Sequence, residues 1–154
     1  MSRRGRIAAF ALGLALLSFP AIVGLQAWDH WQFCRPAGCP QGRLQPADWA
    51  IAAVGSFAML MGGIMAARSA PADSFLERVF GLLVRALLVA FPVAALVFAF
   101  FPALVEGPTA LGLLPIAFGA ALFVGAGKYG ATALVVTALW SIVYAGFERR
   151  VEAR

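Results

Sequence analysis

The chain has 154 residues, of which 62% are hydrophobic and 12% charged, with a formal net charge of +5 and a mean hydropathy of +0.88. Soluble domains carry about a quarter charged residues, so this surface cannot be kept in water; lipid must solvate most of it, and no room is left for a separate soluble domain. The basic residues lie beside the apolar runs, as anionic headgroups and the positive-inside rule require, which argues against nucleic acid as their partner.

In chain order, Arg3, Arg4 and Arg6 precede a first apolar run over 7–27, which is about one hydrocarbon thickness of helix. The run is too long for a typical signal-peptide core and lacks a small-residue cleavage site, so it reads as a retained span with a cytoplasmic N-terminus. Pro20 predicts a kink in it rather than a break. Trp28 and Trp31 close it as an interfacial belt. Residues 28–48 then form an exported loop holding both cysteines and the single histidine, His30.

Asp48 reads as the N-cap of a second span over 49–67. Gly62 and Ala66 form a small-xxx-small step in this span, which allows close approach of another helix. A polar connector with basic ends, Arg68 to Arg78, returns on the cytoplasmic side. Asp73 or Ser74 is placed to cap a helix starting at Phe75. The third span covers 79–104, with Arg85 about one and a half turns inside it. That arginine either snorkels to the interface or pairs with an acidic group on another subunit. Glu106-Gly107-Pro108 marks an outer turn.

Residues 109–147 are almost unbroken apolar sequence, and as one helix they would reach about 58 Å, twice the hydrocarbon thickness. The expected break lies at Gly125-Ala-Gly-Lys-Tyr-Gly130, where glycines and Lys128 suit a turn. This yields segments over 109–125 and 131–147. Five spans would export the arginine-rich tail, against the positive-inside tendency; four would keep it inside but leave Lys128 on the outer side. Five segments are preferred because both halves are long enough to span. The fold expectation is an all-α integral membrane protein, a bundle of four to five transmembrane helices with short loops.

Residues able to carry chemistry are few. Cys34 and Cys39, four residues apart in an exported loop, suit a structural disulfide. A redox pair would more typically use two intervening residues, and free or metal-bound cysteines are the remaining alternative. His30 with the two cysteines falls short of the four ligands of a structural zinc site. No histidine lies in the spans to ligate haem, so no cofactor or metal is expected. Arg85, Glu106 and Lys128 lie near span ends, and no midplane ionisable site of the kind a self-contained carrier needs is visible. No catalytic residue is expected either. Trp28, His30, Trp31, Gly62, Ala66, Arg85 and Lys128 are the candidate partner contacts, and a helper subunit is the reading this pattern favours.

The C-terminal half carries a resemblance. Glu106-Gly107, an apolar segment, the basic turn Gly127-Lys128-Tyr129-Gly130 and the closing run ATALVVTALWSIVYAGFERRV resemble the small membrane subunit of tripartite tricarboxylate transporters (TctB-type). Phe147 to Val151 fits that family's aromatic and basic ending. The first loop departs from it, holding the cysteine segment and QPADW where the family has a glycine-proline-phenylalanine run. The resemblance implies a bacterial inner-membrane protein with two partners: a larger polytopic membrane subunit that transports, and a periplasmic protein that captures carboxylates. It supplies no catalytic residues. The expected function is therefore a non-catalytic accessory subunit of a solute (carboxylate) transporter. The alternative is a structural or assembly subunit of a respiratory, secretion or envelope complex, and a membrane thiol oxidoreductase is a more distant third.

Overall fold

The computed structural model describes residues 3–34, 44–68, 74–106 and 108–152. Among them every regular element is helical: α1 (Arg3–Cys34), α2 (Pro46–Arg68), α3 (Phe75–Glu106), a 3-10 helix (Pro108–Leu113) and α4 (Leu114–Glu152). Four helices are long and apolar enough to cross a membrane. Each packs on the next in the chain, and α4 closes the ring against α1 through a sparser contact. The ends confirm an up-down-up-down order: His30 of α1 meets Asp48 at the start of α2, and Arg6 of α1 meets Glu148 near the end of α4. Short connections make antiparallel neighbours the natural solution for such a bundle.

Local chemistry sets where the helices begin. Pro46 opens α2, a position whose N–H would have no intrahelical partner in any case. Asp48 is not the N-cap that the sequence suggests. It lies in the first helical turn, and its carboxylate reaches back to accept the Gln45 N–H at 2.7 Å while also meeting His30 Nε2 at 2.9 Å. At α3 the expected cap is Ser74: its hydroxyl accepts the Glu77 N–H at 3.2 Å, and the Glu77 carboxylate accepts the Ser74 N–H at 3.3 Å. This reciprocal pair satisfies two donors that the helix cannot satisfy itself.

The buried faces of the helices combine apolar side chains with a few polar ones. On α1 the row Phe10, Leu14, Ser18, Ile22, Gln26 recurs every four residues and is buried throughout. On α4, Thr137, Ser141, Tyr144 and Glu148 face inward while Leu139, Val143 and Phe147 are exposed. Ser18 and Thr137 discharge their hydroxyls onto the carbonyl four residues earlier, at 2.7 and 2.6 Å, a bond available to buried Ser and Thr without any partner helix. Two glycines set the closest helix approaches. A side chain at Gly62 would strike the Ala86 carbonyl of α3, and one at Gly63 would come within 2.8 Å of the Ala11 Cα.

The expected fold-back at Gly125–Gly130 does not occur: α4 runs unbroken through it for 39 residues. Glycine inside a helix costs only about 1 kcal/mol relative to alanine, whereas opening a helix in an apolar setting strands several backbone groups at a larger cost each. Lys128, taken as the charge of a turn, instead finds its partners on α1. The expected loop over 28–48 is also shorter, because α1 continues helically through Trp28 to Cys34. Likewise α3 begins at Phe75 and ends at Glu106, a few residues outside the expected 79–104.

Two polar layers bound the bundle. One, at the end carrying the chain termini, holds Arg6, Arg68, Arg78 and Glu148; the other, at the far end, holds Gln26, Asp29, His30, Asp48 and Lys128. Arg6 to Gln26, Asp48 to Arg68 and Lys128 to Glu148 are each separated by twenty residues, about 30 Å of helix and thus one hydrocarbon thickness. The end of α3, the 3-10 helix and the start of α4 continue beyond the far layer as a hairpin. From Leu114 to Lys128 this amounts to about 20 Å of additional helix.

Candidate functional site

The far layer is built by α1 and α4 facing each other where the ring closes. Gln26 continues the buried row of α1, and Asp29 follows it by three residues, so both reach α4 one turn apart. Lys128 Nζ donates to Asp29 Oδ2 at 2.8 Å and to Gln26 Oε1 at 3.2 Å. Gln26 Nε2 in turn donates to the Tyr129 hydroxyl at 2.5 Å. The chain of donors therefore runs from the ammonium through the amide to the phenol. The Lys128 charge is neutralised by Asp29, and its ammonium also sits 5.6 Å from the Tyr129 ring centre.

Beneath this cluster lies a cavity of about 370 Å³ to which all four helices contribute. Its wall is made largely of small residues, among them Gly55, Ala58, Ala90, Ala94, Ala121 and Gly125, and includes Lys128 and Tyr129. Among its lining residues Val124 is 61% exposed, so the cavity is not sealed within the bundle. The size falls within the range of about 300–1,000 Å³ usual for small-molecule sites, and an apolar wall with a few convergent polar groups is their usual composition.

The opposite layer is an anchor. Glu148, only 6% exposed, pairs with Arg78 at 3.0 Å and Arg6 at 3.7 Å. The Tyr144 hydroxyl donates to the Arg6 carbonyl at 2.9 Å and lies 3.3 Å from the Glu148 carboxylate. Trp140 donates to the Phe10 carbonyl at 2.8 Å, with its ring over Gly13. Arg3 donates to the Arg68 carbonyl at the end of α2. Three helices, α1, α3 and α4, are thus tied through one carboxylate.

The candidate partner contacts separate into two sets. Gly62 and Ala66 are buried against the chain's own helices, so that step serves α2–α3 packing within the chain. His30 and Lys128 bond Asp48 and Asp29. Trp28 and Trp31 are exposed at 52% and 46% and stack on each other at 5.0 Å. Arg85 is exposed on α3, about 10 Å from Arg78 along the helix, and makes no ion pair with a described residue. Cys39 and the Cys34 side chain, and with them the expected disulfide, lie outside the described residues.

Sequence reasoning passed over Gln26, Asp29, Tyr129 and Glu148. Gln26 and Glu148 had a signal: each is polar and falls on the inward face of its helix. Asp29 and Tyr129 had none, because they matter only through the helix opposite. No family model, curated protein or solved structure matches the chain.

Proposed function

We propose that the chain is a non-catalytic accessory subunit of a bacterial inner-membrane solute transporter, docked on a larger polytopic subunit, with both termini in the cytoplasm. The observation that carries this reading is the hairpin of α3 and α4, which extends past the far polar layer while exposing Phe101, Leu111, Leu113, Ile116, Phe123 and Val124. A bilayer matched to the two polar layers, about 30 Å apart, leaves that hairpin outside the hydrocarbon. An apolar surface of this extent then needs a protein to cover it.

Charge supports the orientation. Of the twelve Lys and Arg residues, Arg35, Arg43 and Lys128 belong by chain position to the loop side and the other nine to the terminal side, as the positive-inside rule requires of a cytoplasmic face. Exposed Arg85 gives the partner a point of recognition, since a guanidinium at that depth is stabilised by an acidic side chain. The resemblance to TctB-type subunits supports a carboxylate as the transported solute and a periplasmic capture protein as the third component.

Affinity purification from native membranes in mild detergent, with mass spectrometry of what accompanies the chain, tests the reading. A large polytopic transport subunit in stoichiometric amount, lost in Arg85→Glu, is the expected result. Recovery of the chain alone overturns it. Recovery with respiratory, secretion or envelope components overturns the transporter assignment in favour of an assembly subunit.

A further inference from the structure

We propose that the cavity beneath Lys128 and Tyr129 binds one hydrocarbon chain that ends in an uncharged carbonyl, the chain lying against the alanine wall and the carbonyl oxygen accepting the Tyr129 O–H. Three observations lead there. First, the wall is apolar and reaches the surface, Val124 being exposed. Small residues of three helices widen it, such as Gly55 and Ala58 of α2, Ala90 and Ala94 of α3, and Ala121 and Gly125 of α4. A flexible chain fits such a space; a hydrated ion or a polar solute gains nothing from it.

Second, the rim selects an acceptor. The Lys128 ammonium gives to Asp29 and Gln26, and the Gln26 amide gives to the phenol. The phenol oxygen thus serves as an acceptor within the cluster and retains its own hydrogen to give. Tyr129 is itself part of the cavity wall. Third, the rim is neutral, because Asp29 stands 2.8 Å from Lys128. A carboxylate or phosphate on the ligand would have to displace Asp29 from that bond. An ester or ketone oxygen takes the spare donor without disturbing it.

Two sources supply this chemistry: the ester-linked acyl chain of a bilayer glycerolipid, and a free single-chain lipid with a ring ketone, of the isoprenoid quinone type. The site is complete within one chain and does not depend on a transport partner.

The test uses the full chain in lipid nanodiscs with two photoactivatable probes, a phosphatidylcholine carrying a mid-chain diazirine and an isoprenoid quinone carrying one in its tail. Gly125 lines the cavity, and a Cβ there would meet no atom within 4 Å, so Gly125→Leu adds bulk at the wall from a point that is free of contacts. Gly119, equally free of neighbours, provides the control Gly119→Leu. Cross-linking by one probe at wall residues such as Ile51, Phe98 and Val124 is expected. It should fall at least fivefold in Gly125→Leu, fall severalfold in Tyr129→Phe, and be unchanged in Gly119→Leu. The probe that labels identifies the source. Labelling spread over outward residues such as Leu88 and Leu139 and indifferent to Gly125→Leu, or no wall labelling by either probe, overturns the proposal. Retained melting temperature in Gly125→Leu separates loss of binding from loss of fold.

Discussion

Glu148 holds a position that few single side chains occupy, since Arg6, Arg78 and Tyr144 from three helices all converge on it. Removing the anion from a buried pair leaves its cations uncompensated, which costs about 3–5 kcal/mol when both partners are fully buried. Arg6 and Arg78 retain 35% and 23% exposure, and water reaching them reduces that cost to about 2 kcal/mol. Glu148→Gln should therefore lower the melting temperature in detergent by several degrees. A change of under one degree would remove Glu148 from the anchor. Gly62 acts by what it lacks. A side chain there meets the Ala86 backbone carbonyl, which cannot rotate away. Gly62→Leu should destabilise by about 1–3 kcal/mol, the usual range for overpacking. The same substitution at Gly119, which has open space, should leave denaturation unchanged. Buried Ser141 makes no hydrogen bond, and nothing in the structure explains its hydroxyl.

At the scale of elements, α4 is the instructive case. Its length conflicts with hydrocarbon thickness only if every apolar residue must lie in lipid. Pairing the start of α4 with the end of α3 gives the extra turns a protein neighbour on one side. Spin labels at Ile116 and Ile142, both exposed, measure this directly. Continuous helix places them about 39 Å apart, whereas a turn at Gly125–Gly130 would bring them within a short distance of each other across a hairpin. The starts of α2 and α3 show the reverse situation, in which a few residues decide. Ser74 and Glu77 form a pattern readable from sequence alone. Asp48 is shared between its own helix end and His30, and only the second partner separates it from an ordinary cap.

For the molecule as a whole, an even number of crossings returns the C-terminal end of α4 to the side of the N-terminus. Cysteines introduced at Arg4 and Arg150 should react with an impermeant maleimide from the same face of sealed vesicles, and one introduced at Leu113 from the opposite face. Labelling of positions 4 and 150 from opposite faces would require an odd number of crossings and would sink the four-helix arrangement. The two polar layers lie about 30 Å apart by helix rise, close to one hydrocarbon thickness.

Composition and periodicity by themselves determined that the chain is helical, that lipid is its solvent, and where its first three helices lie, because burial in hydrocarbon acts on each residue separately and leaves its mark in the local run of side chains. The number of crossings, the partners of Lys128, Asp29 and Glu148, and the cavity were decided only by tertiary structure. The polar partnerships join residues far apart in the chain, as Gln26 with Lys128 and Tyr129 or Arg6 with Tyr144. In an apolar helix the sequence records that a polar side chain needs a partner. It does not record which helix supplies one.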